Sequence, residues 1–126
     1  MAGTIAHYRT VMPYLVVADA DRELAFLTAA FGAAERECHR NPDGTVLHAE
    51  LTIGDSVLMV GQANDQWKPL LGALYLWIED VDATYEKALA AGGTSQSPPS
   101  DKPYGHREAG VVDPNGVTWW LGAPSR

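Results

Sequence analysis

The sequence has little cysteine, few basic residues and no long apolar run. Cys38 is the only cysteine in 126 residues, which excludes an intrachain disulfide and favours a reducing, cytoplasmic location. Lys and Arg number 9 against 16 Asp and Glu, so a net charge of -7 weighs against nucleic acid or an anionic membrane as the partner. No apolar run approaches the roughly 18 residues of a transmembrane helix, and MAGTIAHYRTVMP lacks a signal-peptide pattern.

Several common catalytic motifs are also missing. The chain has no glycine-rich phosphate loop, no Cys-x-x-Cys pair and no Ser-His-Asp order. Cys38 has no base near it in sequence, so nothing marks it as a nucleophile. The sequence features that remain informative about function are the organisation of the chain and its aromatic residues.

An internal repeat dominates the sequence. Residues 14–32, YLVVADADRELAFLTAAFG, resemble residues 75–93, YLWIEDVDATYEKALAAGG, at an offset of 61 with seven of nineteen positions identical. Each copy starts with an apolar strand and continues with an Asp suited to cap a helix. Each predicted helix has one apolar face and ends at a glycine, Gly32 or Gly92-Gly93.

Three strand-like stretches follow each predicted helix. They cover, in chain order, residues 34–40, 45–53 and 56–61, then 94–97, 106–112 and 117–122. Each half therefore reads βαβββ, with module one at about 11–61, a linker at about 62–72 and module two at about 73–122. A half of this size makes a marginal core, so we predict a single α+β domain over 1–126.

The stretch DPNGVTWWLG places two tryptophans in the last predicted strand. Neighbouring strand residues point to opposite faces, so one tryptophan should enter the core and the other should not. The other should face water, a partner chain or a ligand.

Four stretches resemble one known family. MPYLVVADADRELAFLTAAFG, HAELTIGDSVLMVG, LYLWIEDVDATYEKALAAGG and DPNGVTWWLG are similar to the vicinal oxygen chelate superfamily, which includes glyoxalase I, bleomycin-resistance proteins and extradiol dioxygenases. The HAEL, IGDSVLM and DPNG–WW stretches look most like its PhnB-like branch. The resemblance implies curved mixed sheets around a cleft, usually in a homodimer.

The resemblance also implies where a metal would bind in the metalloenzymes of this family. The positions that correspond to their His or Glu ligands are Met12, Met59, Ala73 and Trp120. None of these side chains is a suitable ligand for a hard or borderline cation. We therefore predict no metal and no cofactor, which removes the usual metal-dependent mechanism.

With Trp120 at one of these positions, strand alternation predicts that Trp120 and Thr118 face the cavity and that Trp119 packs in the core. The same alternation predicts an aromatic, methionine-containing cavity. Such a lining suits a flat apolar or cationic organic ligand held by stacking or cation–π contact. We predict a metal-independent small-molecule-binding protein of the bleomycin-resistance type. The predicted ligand-binding residues are Met12, Tyr14, Met59, Tyr75, Trp77, Thr118 and Trp120, with Arg107 as a candidate anion-binding residue.

Two alternatives stay open. His48 and Glu50 share one strand face and suit general acid–base work, which predicts a glyoxalase-like isomerase or lyase. A displaced metal site would add His106 and Glu108, and Tyr104 in the proline-rich loop 97–105 is a candidate lid residue. The second alternative is a structural or regulatory dimer whose cavity is filled by aromatic side chains.

Overall fold

The tandem βαβββ arrangement predicted from the repeat is confirmed. The structure is a computed structural model that describes residues 8–126, so part of the N-terminal stretch considered for a signal peptide lies outside the described residues. Module one contains β1 (Tyr14–Val17), α1 (Ala20–Phe31), β2 (Ala34–Arg40), β3 (Val46–Ile53) and β4 (Ser56–Gln62). Module two contains β5 (Ala73–Trp77), α2 (Val81–Ala90), β6 (Thr94–Asp101), β7 (His106–Val112) and β8 (Thr118–Pro124).

Aspartates cap both helices. The Asp19 side chain accepts a hydrogen bond from the backbone N–H of Arg22, and Asp80 accepts one from Ala83. Because the first backbone N–H groups of a helix lack partners within it, these carboxylates fix where α1 and α2 begin. α1 ends at Gly32, whose φ of 68° lies in the left-handed region that glycine adopts without strain.

Each module forms a mixed four-stranded sheet. The strand orders are β1-β4-β3-β2 and β5-β8-β7-β6, with β1 and β5 parallel to their neighbours β4 and β8 and the other pairs antiparallel. The two sheets have matching registers, because Tyr14 lies opposite Met59 and Tyr75 lies opposite Trp120. An α+β fold of two mixed sheets is thus the observed architecture.

The hydrophobic core lies on the helix side of both sheets. Trp119 is fully buried there, and its ring lies 5.1 Å from that of Phe31 in module one. The two modules contact one another largely through α1 and α2, and buried side chains from both form one cluster. The other face of each sheet, which we call its outer face, is left without a helix.

Two connecting segments differ from simple loops. β6 continues through Pro98 and Pro99 to Asp101, although sequence reasoning began a loop at Ser97. β6 pairs with β7 along one edge, where prolines are tolerated, and register irregularities accommodate them. In the linker, Leu70 donates its backbone N–H to Val16 of β1, so this segment folds back over module one.

Neither helix formed within residues 8–126 is long and apolar enough to cross a membrane.

Candidate functional site

A hydrogen-bonded row of side chains crosses the outer face of module one. Tyr14 begins β1, and its hydroxyl lies 3.0 Å from Nδ1 of His48 on β3. Nε2 of the same imidazole lies 2.8 Å from Oε2 of Glu50, and the Tyr8 hydroxyl donates to that oxygen as well. Gly61 of β4 lies beside the Tyr14 ring, and a Cβ at this position would lie 3.2 Å from the backbone oxygen of Leu47 and 3.4 Å from the Tyr14 hydroxyl. The row therefore connects a half-exposed phenol to a buried carboxylate.

The arrangement assigns a direction to each hydrogen bond. With Glu50 ionised and His48 neutral, Nε2–H of His48 donates to Glu50 and Nδ1 accepts from Tyr14. Burial, followed by the charge of Glu50, raises the pKa of Tyr14. The hydrogen bond to Glu50 is the largest cause that raises the pKa of Tyr8 to about 12. Both phenols are therefore protonated at neutral pH, and Tyr14 presents an acceptor oxygen to its surroundings.

A groove of about 470 Å³ lies beside Tyr14. β1, β3, β4 and the folded-back linker form its walls, which are largely apolar with three side-chain amides. This volume is within the range of small-molecule sites. The lining residues are Tyr14, Val16, Asn41, Leu47, Gly61, Gln62, Asn64, Trp67 and Leu70.

The outer face of module two is organised around Glu108 of β7. The hydroxyls of Tyr75 and Tyr104 lie 2.6 and 2.5 Å from its two carboxylate oxygens. These two hydrogen bonds, that of Tyr104 first, lower the pKa of Glu108, so the carboxylate is charged at neutral pH. Tyr75 reaches Glu108 by crossing Gly122, where any Cβ would collide with the phenol.

Aromatic rings surround this carboxylate. The rings of Trp77 and Tyr104 lie 4.8 and 5.2 Å from the imidazole of His106, both in edge-to-face geometry. Trp120 lies against Gly110, where a Cβ would come within 2.6 Å of the indole. Tyr75 and Trp77 are 47% and 56% exposed, so their rings are available for contact.

The two outer faces share a layout but differ in chemistry. In each, a tyrosine of the first strand, Tyr14 or Tyr75, crosses a glycine and bonds to a side chain of the third strand. That side chain is His48 in module one and Glu108 in module two. Glu50 and Glu108 are not equivalent, because Glu50 lies opposite Met59 and Glu108 lies opposite Gly122. The two faces therefore present different polar groups at equivalent places.

The structure divides most of the predicted site residues between these two faces. His48, Glu50, Tyr14 and Met59 are on the outer face of module one. Trp120 and Thr118 alternate with buried Trp119, as strand parity requires. The second face holds Tyr75, Trp77, Thr118 and Trp120, and Met12 lies two residues before β1.

Arg107 does not join either group. It alternates with His106 and Glu108 and therefore points to the opposite side of β7. Its guanidinium lies 2.7 Å from Asp82 and 3.2 Å from Asp101, and these carboxylates raise its pKa. An arginine held by two carboxylates is poorly placed to bind an anionic ligand.

The residues at the family's metal positions do not fit a metal. Ala73 begins β5 and has no donor atom, and Trp120 has no lone pair to offer. Met12 and Met59 contribute thioethers, which are poor ligands for zinc, nickel, iron or manganese. Within residues 8–126, no three His, Cys, Asp or Glu side chains are grouped closely enough to hold an ion. This finding applies also to the displaced site considered from the sequence, which would consist of His48, Glu50, His106 and Glu108.

Sequence reasoning missed part of the site. Tyr8 was not selected, because a tyrosine six residues before a strand carries no spacing signal for its contact with Glu50. Tyr104 was considered as a lid residue and Glu108 as a displaced metal ligand, but their hydrogen bond was not foreseen. The recurring Tyr in the repeat and the glycine in the last strand of each module were the available signals.

The fold and this site can be compared with known proteins. A family model described as the Glyoxalase/Bleomycin resistance protein/Dioxygenase superfamily matches residues 4–121. The chain belongs to this superfamily. An uncharacterized protein of Mycobacterium bovis is 34% identical over 128 aligned residues, covering 90% of this chain and 82% of that relative. The superfamily predicted from the four motifs is thereby confirmed.

Two solved structures agree with the fold. TioX from Micromonospora sp. ML1 superposes with a TM-score of 0.79 at 26% identity, covering 94% of this chain and all of TioX. A PhnB protein from Bacillus cereus superposes with a TM-score of 0.73 at 22% identity, covering 91% of this chain and 99% of that one. The resemblance to a PhnB protein is thus found at the level of the fold.

Proposed function

We propose that the protein is a metal-independent small-molecule-binding protein of the glyoxalase/bleomycin-resistance type that holds an aromatic or cationic compound. The observation that carries the proposal is the exposure of large aromatic side chains on both outer faces. Tyr14, Tyr75 and Trp77 are each about half exposed, and they lie next to the groove or around Glu108. Exposed aromatic groups of this extent mark binding surfaces.

A homodimer would complete the cleft. Within one chain the modules contact largely through α1 and α2, and no hydrogen bond or ring contact is found between their two outer faces among the described residues. In the dimer that we propose, the outer face of module one meets that of module two from a second copy. The groove exposes three large apolar side chains that a second copy would cover, namely Leu47, Trp67 and Leu70.

Equilibrium dialysis and native mass spectrometry test this proposal. Dialysis against nickel, zinc, manganese and iron should leave less than one tightly bound ion per chain, because the donor set is unsuitable. Native mass spectrometry of protein purified from its own host should show a dimer carrying a small organic molecule. One tightly bound ion per chain, or a monomer without affinity for flat aromatic dyes such as ethidium, would contradict the proposal.

A second candidate is an isomerase or lyase that uses the row from Tyr14 to Glu50. Its support is the hydrogen bonding of His48 on both ring nitrogens, an arrangement that orients an imidazole for proton transfer. His48→Ala should then abolish turnover on a substrate such as a hemithioacetal while the circular dichroism spectrum stays unchanged.

A further inference from the structure

Glu108 determines which hydrogen bonds the outer face of module two can offer. Its two oxygens accept the hydroxyl protons of Tyr75 and Tyr104, and a phenol has one proton to donate. The two phenolic oxygens therefore retain acceptor lone pairs and no donor. A ligand that approaches these oxygens has to bring its own N–H or O–H groups.

The same face favours a positive charge. Glu108 is an anion with 12% of its side chain exposed, so its charge is only partly screened by water. The imidazole of His106, whose Nδ1 lies 3.6 Å from Oε2 of Glu108, contacts the rings of Trp77 and Tyr104, and both rings are largely exposed. Aromatic faces attract cations through their quadrupoles. Arg107, on the same strand, is turned away and neutralised by Asp82 and Asp101, so it does not oppose a cation.

We propose that the outer face of module two is a subsite for a protonated amine carried on an aromatic body. In this subsite Glu108 supplies the opposite charge, Tyr75 and Tyr104 accept the N–H groups, and Trp77 contacts the aromatic body or the cation. This inference rests on the proposed binding function and narrows its ligand class from aromatic or cationic compounds to protonated aromatic amines. A quaternary ammonium, which has no N–H, would use the charge and leave the phenolic acceptors unmatched.

A pair of isosteric probes tests the assignment. Naphthylmethylamine is a cation at neutral pH, whereas naphthalenemethanol has the same aromatic body and no charge. We expect the amine to bind about tenfold more tightly in calorimetric or NMR titrations, because the charge-assisted contacts are made by the amine. Raising sodium chloride from about 50 to about 500 mM should weaken binding of the amine more than that of the alcohol.

Glu108→Gln separates charge from shape. Glutamine keeps an acceptor for one phenol and the size of the side chain, so the fold should persist. The amine should lose about tenfold in affinity, to the level of the alcohol, while the alcohol is unaffected. Glu86→Gln is the matched control, because it removes one carboxylate from an exposed position of α2 and should leave both affinities unchanged.

Tyr104→Phe provides a second variant in case Glu108→Gln alters folding. Tyr104 lies in the turn before β7, and its removal deletes one acceptor without touching a strand. Amine affinity should fall a few-fold. Equal binding of amine and alcohol, unaffected by salt and by either variant, would overturn the subsite and leave the binding function standing. Absence of binding by both probes at millimolar concentration would also overturn it, whereas the binding function is judged separately by the host-purified material.

Discussion

Glu23 is a buried acid whose protonation should make the stability of this protein depend on pH. It lies in α1, is fully buried, and accepts a hydrogen bond from Asn115 through Oε1. No hydrogen-bond partner for its Oε2 is found within the described residues, yet Asp113 is its neighbour. Burial, followed by the interaction of its carboxyl group with the Asp113 carboxylate, raises the pKa of Glu23 to about 9. Protonated Glu23 can donate from Oε2 to Asp113, which explains how that oxygen is satisfied.

The sign and size of the effect follow from proton binding. The folded chain releases this proton near pH 9 and the unfolded chain near the usual value of 4.5, so between these values the folded state binds more protons. The contribution of Glu23 to the free energy of unfolding is therefore complete below pH 4.5 and decreases as the pH rises towards 9. At pH 7 the accumulated loss is about 3 kcal/mol, since each pKa unit corresponds to about 1.4 kcal/mol.

Glu23→Gln removes this dependence. The glutamine amide can donate to Asp113 and its carbonyl can accept from Asn115, as protonated Glu23 does. We expect the variant to be more stable at pH 7 by up to about 3 kcal/mol and close to the parent at about pH 4.5. Urea unfolding followed by circular dichroism at fixed protein concentration, from about pH 4.5 to pH 8, measures how the free energy of unfolding of each protein depends on pH.

The control is Glu86→Gln, which makes the same charge change at an exposed position of α2. It should not reproduce the gain at pH 7. If Glu23→Gln and the parent show parallel pH profiles, or if the variant is the less stable at pH 7, then Glu23 is not protonated in the folded chain and the reasoning is refuted.

Three further substitutions test the packing of the sheets. Trp119→Ala should lower the free energy of unfolding by about 3–5 kcal/mol in urea melts, because this indole is fully buried and donates to Asp113. Trp120→Ala should lower the free energy of unfolding by less than Trp119→Ala does, but it should weaken ligand binding by about 1–3 kcal/mol in titrations. If the two substitutions destabilise the fold equally and strongly, Trp120 belongs to the core. Gly122→Ala should displace Tyr75, and an unshifted Tyr75 hydroxyl or ring signal in NMR spectra of the variant would contradict the close approach.

Local sequence patterns were sufficient to predict the architecture. The 61-residue repeat, the helix-capping aspartates and the glycine after α1 predicted two βαβββ modules, and their strand periods assigned buried Trp119 and half-buried Trp120 to opposite faces. These features are readable because side-chain alternation and capping depend on neighbours in the chain. The same locality explains the error at β6, where two prolines predicted a loop and an edge strand tolerates them.

The partners of the polar site residues were decided by tertiary structure. His48 and Glu50 share a strand face by sequence, but their contacts with Tyr14 and Tyr8 depend on the register of β1 against β4 and on the path of residues 8–13. The two His-x-Glu pairs, His48 with Glu50 and His106 with Glu108, are 58 residues apart, whereas the repeat has an offset of 61. The second pair is therefore displaced within its module, and Glu108, rather than a histidine, contacts Tyr75. The burial of Glu23 against Asp113 likewise requires the two modules to contact each other, 90 residues apart in sequence. Sequence periodicity specifies which face a side chain occupies, whereas loop lengths and module packing select what it meets there.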